Sequence, residues 1–475
     1  MNSMPTFRLY VAWFACLAGA VAGFGQEENS AHKHPVMPAQ PQPAGSTPAS
    51  GSGAQASGGT GESGGDQADR AMPAGDHAGM AMPMDHPMMN MSFGPIANTQ
   101  EASGTAWQPE ATPMHAHHSM SGDWQLMTHY NAFLGYDNQS GPRGGDQVNS
   151  VNWLMWMASR RTSDNELSFR GMFSLEPLTT TGKGYPLLFQ SGEAYRGQPL
   201  IDRQHPHDLF MELSARYRQR VSHDTVLSLY VAPSGEPALG PPAFPHRMSA
   251  MDNPAAPISH HWLDSTHIAF GVLTVGVAQK TWQLEGSWFN GREPDDDRWD
   301  IERPRLDSYS GRFTWNPTPE WSAQVSHGYL DSPEELQPDE HVRRTTASVM
   351  HLTKLTDGSH LATTIGWGRN DSDQATNAFL FEPSYMTEKY TVFGRAEYVQ
   401  KTGEELGLLP AGRKIGIKQL TFGVSHELPG KRSCQLALGA SVTYTFKPSD
   451  LDALYGRNPI GFWIFIRLRP AAMTH

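Results

Sequence analysis

Apolar and polar residues alternate along much of the chain from Asp123 to its end. In the segment 461–470, Arg467 and Arg469 fall on one face, and the opposite face carries Phe462, Ile464, Ile466 and Leu468. A period of two is typical of a β-strand whose two faces meet different surroundings. This part of the chain is therefore predicted to separate an apolar medium from a polar one.

The same period predicts about sixteen strands of roughly ten residues, the length that a tilted strand needs to cross a bilayer. The predicted spans are 124–137, 147–160, 166–177, 209–221, 224–234, 266–278, 281–291, 307–316, 320–330, 343–354, 360–370, 376–386, 390–401, 415–427, 434–446 and 461–470. Short turns alternate with longer loops, which indicates periplasmic turns, external loops and periplasmic termini. We predict an all-β fold, a transmembrane antiparallel β-barrel of the outer-membrane type over residues 123–475, closed by pairing of the last strand with the strand that begins at Trp124.

The faces of single strands can be assigned from this pattern. Leu167 and Phe169 would face lipid, while Glu166, Ser168 and Arg170 would face the lumen. A soluble β-sandwich or propeller also alternates, but a propeller needs a repeat of about forty residues, which the sequence lacks. A loop as long as 235–265 is also uncommon in a compact sandwich.

Composition excludes further classes of protein. Mean hydropathy is −0.49, and no apolar run of about eighteen residues follows the N-terminus, which excludes a helical membrane protein. A net charge of −12 argues against nucleic acid as a partner, because nucleic-acid binding calls for a basic patch. The two cysteines are Cys16 and Cys434, and the first lies within the predicted export signal, so the mature chain has no internal disulfide to form.

Residues 1–22 are predicted to be a secretory signal peptide. Arg8 precedes an apolar core, and small residues at 20–22 suit cleavage. Lipidation at Cys16 is the alternative, but Trp13 and Phe14 are bulky where small or branched residues are usual.

Residues 23–122 are predicted to be a disordered arm in the periplasm, because Gly, Ala, Ser, Pro and Gln dominate and little apolar area could be buried. Yet ten of the 22 methionines and seven of the 21 histidines lie here, where packing gives methionine no advantage. Thioether sulfur selects Cu(I), and imidazole binds Cu(II), Ni(II) or Zn(II). The candidate metal ligands are His77, Met80, Met82, Met84, His86, Met88, Met89, Met91, Met114, His115, His117, His118 and Met120. The alternative is a biased tether that binds no ligand.

Two stretches pair the ligand types closely, Asp76-His77-Ala78-Gly79-Met80 and Met84-Asp85-His86-Pro87-Met88-Met89. Such repeats ahead of a β-barrel resemble the N-terminal region of the B-type outer-membrane copper-resistance proteins. The resemblance covers the arm and the overall plan. It implies copper as the bound ion and metal resistance or handling as the function.

Two predicted external loops also carry possible metal ligands. His-x-His beside an acid, and a His-His pair followed by Asp, can place two imidazoles on one metal with a carboxylate orienting them. The possible loop site comprises Asp202, His205, His207, Asp208, His246, His260, His261 and Asp264. The loops could fold inward as a plug or share a site. Alternatively, Asp202, Arg203 and Asp208 form salt bridges that fix the loops, with the histidines as ordinary packing.

The leading hypothesis is a non-enzymatic outer-membrane barrel whose periplasmic arm binds copper or a related soft ion. Its expected partners are outer-membrane lipid and metal ions, and the sequence does not fix an oligomeric state. One alternative is a porin-like diffusion channel with an incidental arm. Another is an outer-membrane enzyme with its site near His205 and His260, although no nucleophile motif accompanies these residues.

Overall fold

A computed structural model describes residues 92–355, 358–430 and 433–472. The predicted signal peptide and the candidate ligands from His77 to Met91 lie outside these ranges. Within them, no helix is both long and apolar enough to cross a membrane.

Nearly all regular structure in the described ranges is β-strand. The strands are β1 (Ser92–Phe93), β2 (Ile96–Ala97), β3 (His117–Ser121), β4 (Trp124–Gln139), β5 (Gly145–Asn149), β6 (Asn152–Arg161), β7 (Asn165–Phe173), β8 (Tyr185–Tyr195), β9 (Gln198–Gln204), β10 (Phe210–Arg220), β11 (Val226–Gly235), β12 (Ala269–Gln279), β13 (Trp282–Phe289), β14 (Ser308–Trp315), β15 (Trp321–Asp331), β16 (His341–Lys354), β17 (His360–Asp371), β18 (Thr376–Met386), β19 (Tyr390–Thr402), β20 (Lys414–Glu427), β21 (Cys434–Phe446) and β22 (Ile460–Pro470). Short helices are α1 (Glu176–Thr179), α2 (His260–Leu263) and α3 (Asp452–Tyr455), and the 3-10 turns are Asn98–Gln100, Phe244–His246, Ser265–His267 and Ser449–Leu451.

Sixteen long strands, namely β4, β6, β7 and β10 to β22, form one closed antiparallel barrel. This confirms the predicted fold class, and β18 and β21 have the predicted bounds. The predicted closing pair is also confirmed, since Ile464 of β22 lies opposite Tyr136 of β4. β22 pairs with only part of the edge of β4, however. β3 pairs with the remainder, from Trp124 to Thr128.

The two faces of the barrel wall differ as predicted. Leu167 and Phe169 are 39% and 40% exposed, whereas Glu166, Ser168 and Arg170 of the same strand are buried. Large apolar side chains are exposed on the outside of other strands too, including Leu229, Val275, Phe313, Val325 and Ile464. An apolar exterior on a closed sheet suits lipid, and closure excludes the sandwich and propeller alternatives.

The predicted boundary at residue 122 is wrong. Residues 92–116, here called the inner segment, are ordered and lie against the barrel at the end where the short turns are, here called the turn end. Phe93, Ile96 and Trp107 bury apolar area against Val226 and Ala278 of the barrel wall. The composition of the arm concealed these three anchoring side chains, because they are dispersed among small and polar residues.

Ion pairs fix the inner segment to the barrel wall. Glu101 accepts hydrogen bonds from Arg170 at 3.3 Å, from Arg216 at 2.6 Å and from Arg218. Burial alone would raise the pKa of Glu101, but the charges of Arg216, Arg218 and Arg170 outweigh burial and hold the pKa well below its ordinary value. Glu101 therefore stays ionised between three guanidinium groups.

The loop between β11 and β12 folds into the lumen from the opposite end, here called the loop end. Residues 236–268 are here called the inward loop, and every one of them is buried. The loop therefore folds inward as a plug, which was one of the two possibilities that the sequence suggested. Arg247 of this loop pairs with Asp264 and, at 3.2 Å, with Glu382 of β18. Asp252 pairs with Arg467 and, at 3.3 Å, with Arg469, both on β22.

Replacing Glu101 tests whether its ion pairs hold the inner segment in place. In Glu101→Gln three buried guanidinium groups lose one shared counter-charge and keep only Glu166 or Glu212 of the wall. Removal of one partner from a buried pair typically costs about 3–5 kcal/mol. We expect faster chymotrypsin cleavage after Trp107, which is 4% exposed in the folded protein. In the folded protein the pKa of Glu101 lies below its ordinary value of 4.5. The ion pairs of Glu101 therefore stabilise the folded protein fully above about pH 4.5, and this stabilisation is lost as the pH falls below that value.

The control is Asp123→Asn, which removes the exposed Asp123–Arg160 pair at 2.9 Å. Exposed ion pairs contribute little, so this variant should be cleaved at the wild-type rate. Equal cleavage of the Glu101 and Asp123 variants would show that other contacts hold the segment.

Candidate metal site

A cavity of about 100 Å³ lies between the inner segment, the inward loop and the strands β4, β6 and β7. Sulfur and imidazole dominate its metal-binding groups. The side chains in question, here called the Met/His cavity, are Met114, Met127, Met155, Met157, Met251, His115, His118, His129 and His246. Thioether and imidazole are the ligands that suit copper in its two oxidation states.

Strand register explains how residues of β4 and β6 meet in this cavity. His129 of β4 lies opposite Met155 of β6, which in turn lies opposite Met172 of β7, a residue beside the cavity. One row nearer the turn end, Met127 lies opposite Met157. Because side chains of paired residues share a face, the two rows bring sulfur and imidazole together on the inner surface.

Contacts within the Met/His cavity join sulfur to imidazole directly. The Nε2 atom of His118 is 3.1 Å from the Sδ atom of Met114, and the Nε2 atom of His246 is 3.4 Å from the Sδ atom of Met172. The Trp153 ring packs between two of the imidazoles, with its centre 4.7 Å from that of His129 and 4.6 Å from that of His246. These contacts hold the rings in defined positions.

Two of these histidines lie outside the barrel strands and are buried. Burial lowers the pKa of His115 well below its ordinary value, and the charge of Arg469 lowers it further. Burial also lowers the pKa of His246, with a smaller effect of His129. Both imidazoles are therefore neutral at pH 7, which is the form that binds metal ions.

A wider vestibule of about 1160 Å³ opens beside the Met/His cavity at the turn end. Thr99, Thr112, Pro113 and His115 line both spaces. An ion that enters the vestibule thus meets the His115 imidazole at the boundary of the cavity.

The predicted loop histidines form a second group, towards the loop end. His205, His207, His260 and His261 lie together with His267, and these five residues are here called the imidazole cluster. Ring centres are 5.1 Å apart for His260 and His267, 5.3 Å for His207 and His267, and 5.4 Å for His260 and His261. The predicted proximity of the two loops is therefore correct.

Carboxylates hold most of these rings in place. The Nδ1 atom of His207 is 2.9 Å from Glu176, and the Nδ1 atom of His260 is 2.8 Å from Asp264. The Nε2 atom of His205 is 2.9 Å from Glu193. Asp264 thus orients an imidazole, as the spacing in the sequence suggested.

Other members of the predicted loop site lie elsewhere. Asp202 pairs with Arg143 at 2.7 Å and Asp208 with Arg298 at 3.3 Å, as in the alternative in which acids fix the loops. His246 lies in the Met/His cavity. Within the part of the chain that the structure describes, no group of three or more His, Cys, Asp or Glu side chains is arranged to hold a metal ion.

Only some of the described arm residues reach the Met/His cavity. Met114, His115 and His118 line it, whereas His117 and Met120 do not, and Met120 is 55% exposed. The sequence interpretation missed five residues that line the cavity, namely Met127, His129, Met155 and Met157 on strands and Met251 on the inward loop. A usable signal was present for the strand methionines, because these alternate positions fall on the face that should be polar.

No family model matches the chain, and no curated protein is significantly similar to it in sequence. Solved structures with a similar fold include the anion-selective porin from Comamonas acidovorans, at 9% identity over 73% of this chain and 99% of that chain, with a TM-score of 0.47. OmpF of Salmonella typhi matches at 10% identity over 74% and 100% of the two chains, with a TM-score of 0.44. The outer membrane channel DcaP of Acinetobacter baumannii matches at 9% over 74% and 99%, with a TM-score of 0.42.

Replacing Asp252 tests whether its ion pairs anchor the inward loop. Asp252→Asn leaves Arg467 and Arg469 with less compensation in a buried site, so we expect the free energy of unfolding to fall by about 3–5 kcal/mol. The measurement is urea unfolding in lipid vesicles. Asp450→Asn, which removes an exposed ion pair with Arg413, should leave the midpoint unchanged, and an equal loss in both variants would contradict the assignment.

Proposed function

We propose that this outer-membrane barrel binds copper in the Met/His cavity and serves copper handling or resistance. The observation that carries the proposal is the cavity itself, where five methionines and four histidines from the wall, the inner segment and the inward loop come together. The inner face of a barrel wall is ordinarily polar. Met155 and Met157 also pack with Trp153 and Ile268, so the proposal gives these methionines a ligand role in addition to packing.

The chemistry of the cavity suits Cu(I) in particular. Thioether sulfur is a soft, uncharged ligand that selects Cu(I) over hard cations such as Mg²⁺ or Ca²⁺. Buried neutral imidazoles such as His115 and His246 add nitrogen ligands without a proton to displace. Several alternative donors within one cavity would allow an ion to exchange between partners.

The arm supports the same function by its composition. Residues 72–91 carry the same two ligand types, and the resemblance to B-type copper-resistance proteins implies copper for that region. In our proposal the turn end faces the periplasm, so that the vestibule beside His115 admits periplasmic ions. Met114, His115 and His118 are the residues of the predicted arm that line the Met/His cavity.

The porin-like alternative meets an obstacle in the lumen. The inner segment and the inward loop both occupy it, and each is held by buried ion pairs at Glu101 and Asp252. Passive diffusion of solutes through the centre would require one of them to move.

The expectation that the protein is not an enzyme stays a prediction.

Replacing wall methionines tests the copper site directly. Met→Leu conserves volume and usually costs less than about 1.5 kcal/mol, so a Met127→Leu, Met155→Leu, Met157→Leu chain should fold while losing three thioethers. We expect at least a tenfold weaker Cu(I) affinity, measured by competition with a chromophoric Cu(I) chelator. The background is the full chain with Ala at every Met and His between residues 72 and 91, so that arm ligands do not mask the loss.

Met350→Leu is the matched control, because Met350 is buried on β16 and does not line the Met/His cavity. It should leave the Cu(I) affinity unchanged. Equal affinities in the triple variant and in this control would overturn the proposal.

Conductance across a planar bilayer separates retention from free diffusion. We expect the wild-type protein to show little steady conductance, and Glu101→Gln to show more frequent openings because the inner segment is held less firmly. A large, steady wild-type conductance would favour the diffusion channel.

A further inference from the structure

We propose that the imidazole cluster is a second metal site, in which His207, His260 and His267 bind a divalent transition ion of the Zn(II) or Cu(II) type. The site lies apart from the Met/His cavity and contains nitrogen ligands without sulfur. The inference does not depend on the copper function proposed above.

The hydrogen bonds of the three imidazoles leave one nitrogen of each ring available. The Nδ1 atoms face Glu176, Asp264 and the backbone oxygen of Asp264, respectively, at 2.8–2.9 Å. The Nε2 atoms of His207, His260 and His267 are buried and have no hydrogen-bond partner among the described residues. Metal-binding histidines characteristically donate one ring N–H to a carboxylate or carbonyl and bind the metal through the other nitrogen.

Ring spacing agrees with shared coordination. Two imidazoles on one tetrahedral ion, with metal–nitrogen distances of about 2.0–2.1 Å, have ring centres about 5 Å apart. The observed separations are 5.1 Å between His260 and His267 and 5.3 Å between His207 and His267. Among the described residues no group of three His, Cys, Asp or Glu side chains is arranged to hold a metal ion, so binding requires His207 and His260 to move closer together around an ion beside His267.

Ordinary packing explains the cluster less well than metal binding. A buried polar atom without a partner destabilises the folded protein. Three such nitrogens lie beside the apolar ring of Phe244, whose centre is 5.3 Å from that of His260. Aliphatic side chains would fill this space without that cost. A bound cation would satisfy all three nitrogens at once.

Access to the cluster is from the loop end. His261 lines a vestibule of about 910 Å³ there together with Glu293 and Arg344. Its Nε2 atom is likewise buried without a partner in the described structure, and its ring centre is 5.4 Å from that of His260. Gly192 approaches so closely that a Cβ atom would lie 2.5 Å from the His261 ring. His261 is therefore held where an entering ion would meet it first.

Zn(II) binding to the purified full chain tests this site. We expect His207→Gln, His260→Gln, His267→Gln to bind one Zn(II) fewer than wild type in equilibrium dialysis, with the Cu(I) affinity unchanged. The matched control is His223→Gln, His327→Gln, His341→Gln, which alters three exposed histidines and should keep the wild-type count. A folded cluster variant that binds as much Zn(II) as this control would overturn the proposal.

A second measurement does not depend on the variants folding. Crystals of the wild-type protein grown with ZnCl₂ should show an anomalous peak at the zinc edge, about 2.0–2.1 Å from the Nε2 atoms of His260 and His267. Density for water alone at that position would overturn the site. Loss of Cu(I) binding in the methionine variants would bear on the copper proposal only, so the two proposals can fail separately.

Discussion

Several arginine side chains point into the closed barrel. The need to compensate their charge governs the rest of this structure. Strand alternation directs Arg170, Arg216 and Arg218 inward on one side and Arg467 and Arg469 inward on another. Buried guanidinium groups require counter-charges within reach. The inner segment supplies Glu101 to the first group, and the inward loop supplies Asp252 to the second. Glu166, Glu212 and Glu427 of the wall compensate part of this charge. The inner segment and the inward loop supply further carboxylates and also contribute residues to the candidate metal sites.

The two ends of the lumen hold different metal-binding chemistry. Thioethers predominate near the inner segment, whereas carboxylate-anchored imidazoles occupy the space below the loop end. Soft and borderline ions select between such ligand sets. Because each set combines wall or loop residues that are distant in sequence, such as Glu176 with His207 or Met155 with Met251, neither ligand set exists until the barrel has formed.

Strand positions were predictable because the period-two pattern is local. The spans predicted at 376–386 and 434–446 agree with β18 and β21, and the lumenal assignment of Glu166 and Arg170 was correct. Tertiary pairing is not local, so nothing near Glu101 in sequence indicates its three arginine partners. His205 and His260 were expected to be neighbours from loop order, but Met155 was overlooked because a methionine within a strand is ordinarily taken for packing. The arm boundary was misplaced because low apolar content hid the contribution of Phe93, Ile96 and Trp107.

The division of the β4 edge between β22 and β3 has a consequence for the position of the inner segment. β22 pairs with Ala132 to Gln139 and β3 with Trp124 to Thr128, so both ends of the barrel sequence meet at one seam. The Nδ1 atom of His115 lies 3.2 Å from the backbone oxygen of Pro470, where the two strands come together. β22 thus completes the sheet beside the hairpin that carries the inner segment. Closure of the barrel and the position of His115 at the Met/His cavity consequently depend on the same seam, so a shift of strand register there would displace an imidazole that lines the cavity.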